Sequence, residues 1–174
     1  MKSGAKEIIK DVLIALAIAL VIIQIVRPTV VKESSMEPTL YENNYVFLAK
    51  QAYTFGEPER GDIIVFKSDL ENEDSNGKKL LIKRIIGLPG DTVKVEDNKV
   101  YLNGELLNEP YIKDQNDVPG EVEIKVPEGQ VFVMGDNRRV SLDSRSEKVG
   151  CVNIDDIVGK AFFRLFPIQD AGRL

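Results

Sequence analysis

The chain has 174 residues, enough for one domain with a real core, and a formal net charge of −5. Its first eleven residues hold three lysines against Glu7 and Asp11, so the remainder is more acidic still, which argues against nucleic acid as a partner. There is no histidine and a single cysteine, Cys151; this excludes a Ser-His-Asp triad, an internal disulfide and a closed zinc site, and no metal or cofactor is expected.

In chain order, the first feature is the run Val12 to Val26, apolar except for Gln24. As a helix it rises about 22 Å, short of a ~30 Å hydrocarbon core, and Ile8 and Ile9 on one side and Pro28 to Val31 on the other lengthen it. It reads as an uncleaved anchor, a signal peptide or a buried helix. A buried helix of a small domain should be amphipathic, and this one is apolar all round. A signal peptide needs a small-x-small cleavage site, and Gln24-Ile25-Val26-Arg27-Pro28 offers none. The anchor reading makes residues 1–11 a cytoplasmic tail and 12–28 a single-pass transmembrane segment. Lys2, Lys6 and Lys10 before it, against Arg27 and Lys32 after it, favour the N-terminus inside and the body of the chain outside. Val30, Val31 and Phe55 are then expected to form apolar surface resting on lipid.

Ser34-Ser35-Met36-Glu37-Pro38-Thr39-Leu40 comes next. Pro38 forbids a helix and pushes Glu37 to extended geometry. Ser35 is therefore expected on an exposed, irregular connection, either as a plain turn residue or as a reachable nucleophile. Without histidine, a base for it must be a lysine, a carboxylate or a terminal amine.

From there on, short β-branched and aromatic runs alternate with turn signals. Tyr45 to Ala49 and Ile63 to Phe66 read as strands, the second fed by Gly61-Asp62. Ser68 to Lys79 is polar, with Asn76-Gly77 as a hairpin turn. In Leu80-Leu81-Ile82-Lys83-Arg84-Ile85-Ile86, alternation places Leu81, Lys83 and Ile85 on one strand face. A lysine there is either desolvated, with a lowered pKa fit for a base, or a solvated gatekeeper on an edge strand. Thr92 to Glu128 reads as a peripheral β-lobe, with a hairpin turning at Glu96-Asp97-Asn98, and shows no chemistry. Val131 to Met134 is a buried strand running into Gly135-Asp136-Asn137-Arg138 and Ser141-Leu142-Asp143-Ser144-Arg145, either a turn at a site or an ordinary polar loop. Ile157 to Phe166 is the last core strand.

Taken together, these stretches resemble type I signal peptidase, the membrane-anchored Ser-Lys leader peptidase, and are similar to its Gram-positive bacterial members. The pieces that carry the resemblance are the apolar N-terminus, Ser35 to Leu40, Gly61 to Phe66, Lys83 to Asp91, and Gly135 to Arg138 with Ser141 to Arg145. The family fold this implies is all-β: an antiparallel-sheet catalytic core (29–91 and 129–174) with a β-ribbon lobe (92–128), after one transmembrane helix. For this family a body outside means an extracellular one, at the plasma membrane. Ser35 would be the nucleophile and Lys83 the general base. Ser141 would hydrogen-bond the lysine amine, and Asp136, Asp143, Arg84 and Arg145 would form a supporting ionic cluster. The oxyanion would be held by the Ser35 backbone N–H, with the Ser34 hydroxyl as second donor. Glu33 stands where the family often has Ser or Gly; an active enzyme needs its carboxylate turned out, towards solvent or Lys32.

The resemblance also implies the substrate: the signal peptide of an exported preprotein, extended beside Ser35 and Lys83, with small residues one and three positions before the cut. Val31, Met36, Leu40, Leu81 and Ile82 flank the dyad and either line those pockets or are plain core. Two other readings share features of the chain. One is a self-cleaving Ser-Lys peptidase of the repressor type, against which the anchor and the missing basic helix count. The other is a membrane-tethered β-module that binds peptides without cutting them.

Overall fold

The computed structural model describes residues 2–54, 56–71, 77–114 and 117–174; Phe55 and Asn76 lie outside them. Helix α1 spans Lys2–Ile25. From Lys6 onward its side chains are exposed, and Lys6–Ile25 is long and apolar enough to cross a membrane. That removes the buried-helix reading. The helix stops at Ile25, and Val26–Val30 is a strand, β1, so Val26 to Pro28 are not helical as expected. Pro28 has no N–H and fits an edge strand, and among the described residues β1 has a single partner, β2 (Tyr45–Ala49).

The body is antiparallel, as expected. β3 (Ile63–Glu71), β4 (Lys78–Gly87), β9 (Gln130–Met134), β10 (Val152–Asn153), β11 (Ile157–Phe166) and β12 (Gly172–Arg173) join β1 and β2 in one sheet, ordered β1-β2-β11-β3-β4-β9-β10, with β12 on β11. β3 and β4 run longer than their apolar cores suggested, pairing Glu71 with Lys78. The second sheet, ordered β7-β6-β5-β8, is built from β5 (Thr92–Glu96), β6 (Lys99–Leu102), β7 (Glu105–Leu106) and β8 (Val122–Lys125). It falls inside the stretch read as a lobe.

β4 sits between β3 and β9 and shares out three cores. Leu81 and Ile85 pack with Ile64, Phe66, Val131 and Val133. Ile82 packs against Val31, Met36, Leu40, Ile63 and Val65. Ile86 joins Phe132 and Met134 under the small sheet, against Val93, Val95 and Val126. The alternation expected of Leu81, Lys83 and Ile85 against Ile82 and Arg84 is the one observed. Gly87 is where the sheets touch: a Cβ there would meet Val93 Cγ2 at 2.6 Å and Val126 Cγ2 at 3.0 Å. The lobe is thus packed on the core at β4.

Candidate active site

Ser35 lies in a single 3-10 turn, Ser34–Met36, after an extended Glu33. The turn is held from inside by Met36 and Leu40, which have no exposed surface, with Leu40 N–H donating to Met36 O at 2.9 Å. Asn137 holds it from above. Its backbone N–H donates to Ser35 O at 3.0 Å and its Nδ2 to Ser34 O at 3.1 Å. Ser35 is consequently buried, 4% exposed, and not on an exposed connection. The cover comes from a loop a hundred residues away, which local sequence cannot reveal.

Lys83, opposite Ile64 in the ladder of an interior strand, is 1% exposed, so the solvated-gatekeeper reading fails. Its Nζ lies 2.7 Å from Ser35 Oγ and donates to Ile82 O at 3.0 Å. Burial is the main influence on the amine and lowers its pKa to about 8; Asp143, Glu33 and Asp136 pull it up, and Lys79 pushes it down.

Both aspartates near the amine are tied to arginines. Arg84 clasps Asp136 with two bonds, Nε to Oδ1 at 2.9 Å and Nη2 to Oδ2 at 2.7 Å, while Thr39 Oγ1 donates to the same carboxylate. Arg145 clasps Asp143 through Nε at 2.8 Å and Nη2 at 2.9 Å, and the Gly135 N–H donates to Asp143 Oδ2 at 3.0 Å. Such two-pronged pairs fix orientation as well as charge. Ser141 Oγ is buried and bonded to nothing among the described residues, so its expected bond to the lysine amine is not made in this structure. A Cβ on Gly135 would collide with Ser141 Oγ and the Ser35 carbonyl, so only glycine fits between them.

The Glu33 side chain is 43% exposed, and its partner is Lys79 Nζ at 2.6 Å, not Lys32. Of the residues expected to line substrate pockets, Val31, Met36, Leu40 and Leu81 are 3% exposed or less and sit in the cores; Ile82 alone keeps appreciable surface. Val31 is therefore not lipid-facing surface either, whereas Val30 is 39% exposed. The sequence reading missed the support from the lobe. Arg138 pairs with Glu109, Arg138 Nε donates to Gly135 O at 3.0 Å, and the Arg84 guanidinium stacks 4.1 Å over the Tyr111 ring. It also missed a cleft of about 670 Å³ beyond the nucleophile turn, lined by Glu37, Pro38, Tyr41, Ile112, Asn137 and Arg139 among others.

Known proteins resemble this chain over most of its length. The profile of the family described as "Signal peptidase, peptidase S26" matches residues 5–166. The "Signal peptidase I" of Bacillus licheniformis is 36% identical over 179 residues, covering 97% of this chain and 92% of that protein. The "Probable signal peptidase I-2" of Synechocystis sp. is 42% identical over 147 residues, 83% of this chain and 65% of that one. The crystal structure of a signal peptidase I from Enterococcus faecalis, 34% identical, covers 60% of this chain and 97% of its own, with a TM-score of 0.48. With an apolar N-terminal helix that fits membrane anchoring, a body of antiparallel sheets and a match over nearly every residue, the chain belongs to the signal peptidase family, peptidase S26.

Proposed function

We propose that this protein is a serine endopeptidase that removes N-terminal signal peptides from exported preproteins at the outer face of the plasma membrane, with Ser35 as nucleophile and Lys83 as general base. The observation that carries the reading is the 2.7 Å approach of a buried lysine amine to a buried serine hydroxyl in a chain without histidine. When Lys83 is charged, its Nζ donates to Ser35 Oγ. When it is neutral the bond reverses, and the hydroxyl donates to the amine, ready to lose its proton.

The neutral amine takes that proton as Oγ attacks the scissile carbonyl. The resulting ammonium gives it to the leaving amine nitrogen of the mature chain. Water, activated by the neutral amine again, then hydrolyses the acyl ester on Ser35. The Ser35 N–H stabilises the oxyanion, with the Ser34 hydroxyl as second donor. Ser141 Oγ, buried without a partner, is the hydroxyl available to orient the amine. Asp136 and Asp143 hold the loop without locking Lys83 in its charged form, because Arg84 and Arg145 neutralise them.

The signal peptide adds as an extended strand before the dyad. β9 pairs with β4 only from Arg84 to Gly87, which leaves Leu80 to Lys83 without a strand partner on that side among the described residues. Ile82, which keeps surface beside the dyad, then meets the small residues before the cut. Helix α1 anchors the enzyme in lipid with its N-terminus in the cytoplasm.

The test is incubation with a preprotein in detergent, reading the new N-terminus by mass spectrometry. The wild-type chain should cut once, after a small residue. Ser35→Ala and Lys83→Ala should each abolish the cut while keeping the fold; substantial turnover by either would falsify the assignment. Protease added to intact cells should reach a tag at the C-terminus, and a protected tag would reverse the orientation.

A further inference from the structure

Glu33 and Lys79 sit on the two chain segments that carry the dyad. Glu33 is two residues before Ser35, and Lys79 is four before Lys83 on β4. Alternate residues of a strand share a face, so Lys79, Leu81 and Lys83 point the same way. The two segments are therefore joined by two bridges, Ser35 to Lys83 at 2.7 Å and Glu33 to Lys79 at 2.6 Å. A glutamate this close to the nucleophile has torsions enough to swing back towards the Ser35 N–H. There it would repel the oxyanion and favour the charged form of the base.

We propose that Lys79 is a positioning residue for the Ser35–Lys83 dyad: by pairing with Glu33 it holds that carboxylate off the oxyanion side of Ser35 and cancels its charge where the base must become neutral. The inference rests on the Ser35–Lys83 reading above.

The arrangement of charge around the amine supports it. Ser35 is within hydrogen-bond distance of Lys83, and the charges acting on it are Glu33 from the nucleophile segment, Lys79 from its own strand, and Asp136 and Asp143 from the loop after β9. Three of these are carboxylates, and each has its own cation: Asp136 has Arg84, Asp143 has Arg145, and Glu33 has Lys79. The first two pairs are buried. The third is the exposed one, with side-chain exposures of 43% and 41%, and the one that a lysine rather than an arginine completes. Glu33 raises the Lys83 pKa and Lys79 lowers it, so the lysine opposes the influence of the carboxylate it pairs with.

The experiment is a pH–rate profile of preprotein cleavage by the full chain in detergent, with four variants. Lys79→Met leaves Glu33 unpaired. Its ascending limb should move to higher pH by roughly half a unit, which is about a threefold loss of kcat/KM at pH 7. Lys79→Arg should restore the limb. Glu33→Gln added to Lys79→Met should return it as well, because the offending charge is gone; Glu33→Gln alone should not raise it. An unmoved limb in Lys79→Met overturns the proposal, and so does a loss that Glu33→Gln leaves in place, since Lys79 would then act on something other than Glu33. A loss in Lys79→Met accompanied by a lowered melting midpoint and unrescued by Glu33→Gln is the structural outcome and also overturns it. Failure of the dyad reading is seen separately: Ser35→Ala would still cleave, whatever Lys79 does.

Discussion

Arg138 and Glu109 form a two-pronged ion pair at 2.7 and 2.6 Å, with only 2% and 3% of their side chains exposed. It joins the lobe to the loop after β9, because Arg138 also holds the Gly135 carbonyl. Tyr111 donates to Glu109 Oε1 at 2.6 Å, and burial together with that carboxylate pushes the phenol pKa up, keeping the donor in place. Glu109→Ala should cost about 3–5 kcal/mol, since it leaves a buried guanidinium unpaired. Replacing both partners by Leu and Met should cost much less. Urea denaturation of the single and double variants measures the difference; equal losses would mean the pair is not what holds the loop.

The rate of signal peptide removal should rise with pH through an apparent pKa near 8, the value burial imposes on Lys83. Lys83→Arg should be inactive at every pH, because a guanidinium stays charged. A profile flat from pH 6 to 10 would exclude lysine as the base.

Burying a base has a cost in stability, and its sign follows from linkage. Lys83 has a folded pKa of about 8 against 10.5 for the free side chain. Between those values the unfolded chain holds a proton the folded one has lost, so stability rises with pH across that window. Below about pH 8 the folded state carries the full penalty, on the order of 3 kcal/mol. Lys83→Met should therefore melt higher than the wild-type chain at pH 7, and the advantage should vanish above pH 10.5. Thermal scans at both pH values test it; an equal difference at each would show that packing, not charge, separates the two chains.

What could be read from sequence was whatever is periodic. Leu81, Lys83 and Ile85 alternate with Ile82 and Arg84, and that alternation separates the core of Leu81 and Ile85 from the core Ile82 packs against. The antiparallel body and the pairing of Asp136 and Asp143 with arginines were legible for the same reason or through resemblance. Strand β1 was not, because Val26-Arg27-Pro28-Thr29-Val30 continues an apolar run and its strand character comes from pairing with β2. Nor was the burial of Ser35, which depends on Asn137 and Gly135 closing over it from far along the chain. Glu109 is a lone acid in a polar loop; only its meeting with Arg138 gives it a role. The partner of Glu33 was misjudged because Lys32 is near in sequence, while Lys79 is near only once β4 lies alongside the nucleophile segment.

Gly135 tests how closely the loop after β9 is fitted to the nucleophile turn. Its conformation is open to any residue, since its φ is not in the left-handed region, so its requirement is for space. A methyl group would strike Ser141 Oγ and the Ser35 carbonyl. Gly135→Ala should lose most activity, by displacing the serine from Lys83, and cost about 1–3 kcal/mol as an overpacked site. Near-normal kcat in this variant would mean the turn gives way without moving Ser35 Oγ.

The end of the helix decides where the chain can be shortened. α1 packs none of its described side chains into the body, so removing it should cost little stability. β1 is different: it pairs from Val26 with Ala49 to Val30 with Tyr45, and Lys50 N–H donates to Ile25 O at 2.9 Å. A chain beginning at Ile25 should keep both the strand and that bond, and melt within a few degrees of the full protein. A chain beginning at Val31 loses five cross-strand pairs and bares the edge of β2, which should cost about 1–5 kcal/mol. Activity should separate from stability here. The chain from Ile25 should cut a short soluble peptide as fast as the full protein, yet process preproteins in lipid vesicles more slowly, because only the anchor brings the site to a membrane-bound substrate. Equal rates on vesicle-bound preprotein, with and without α1, would show that the helix does not serve catalysis by tethering.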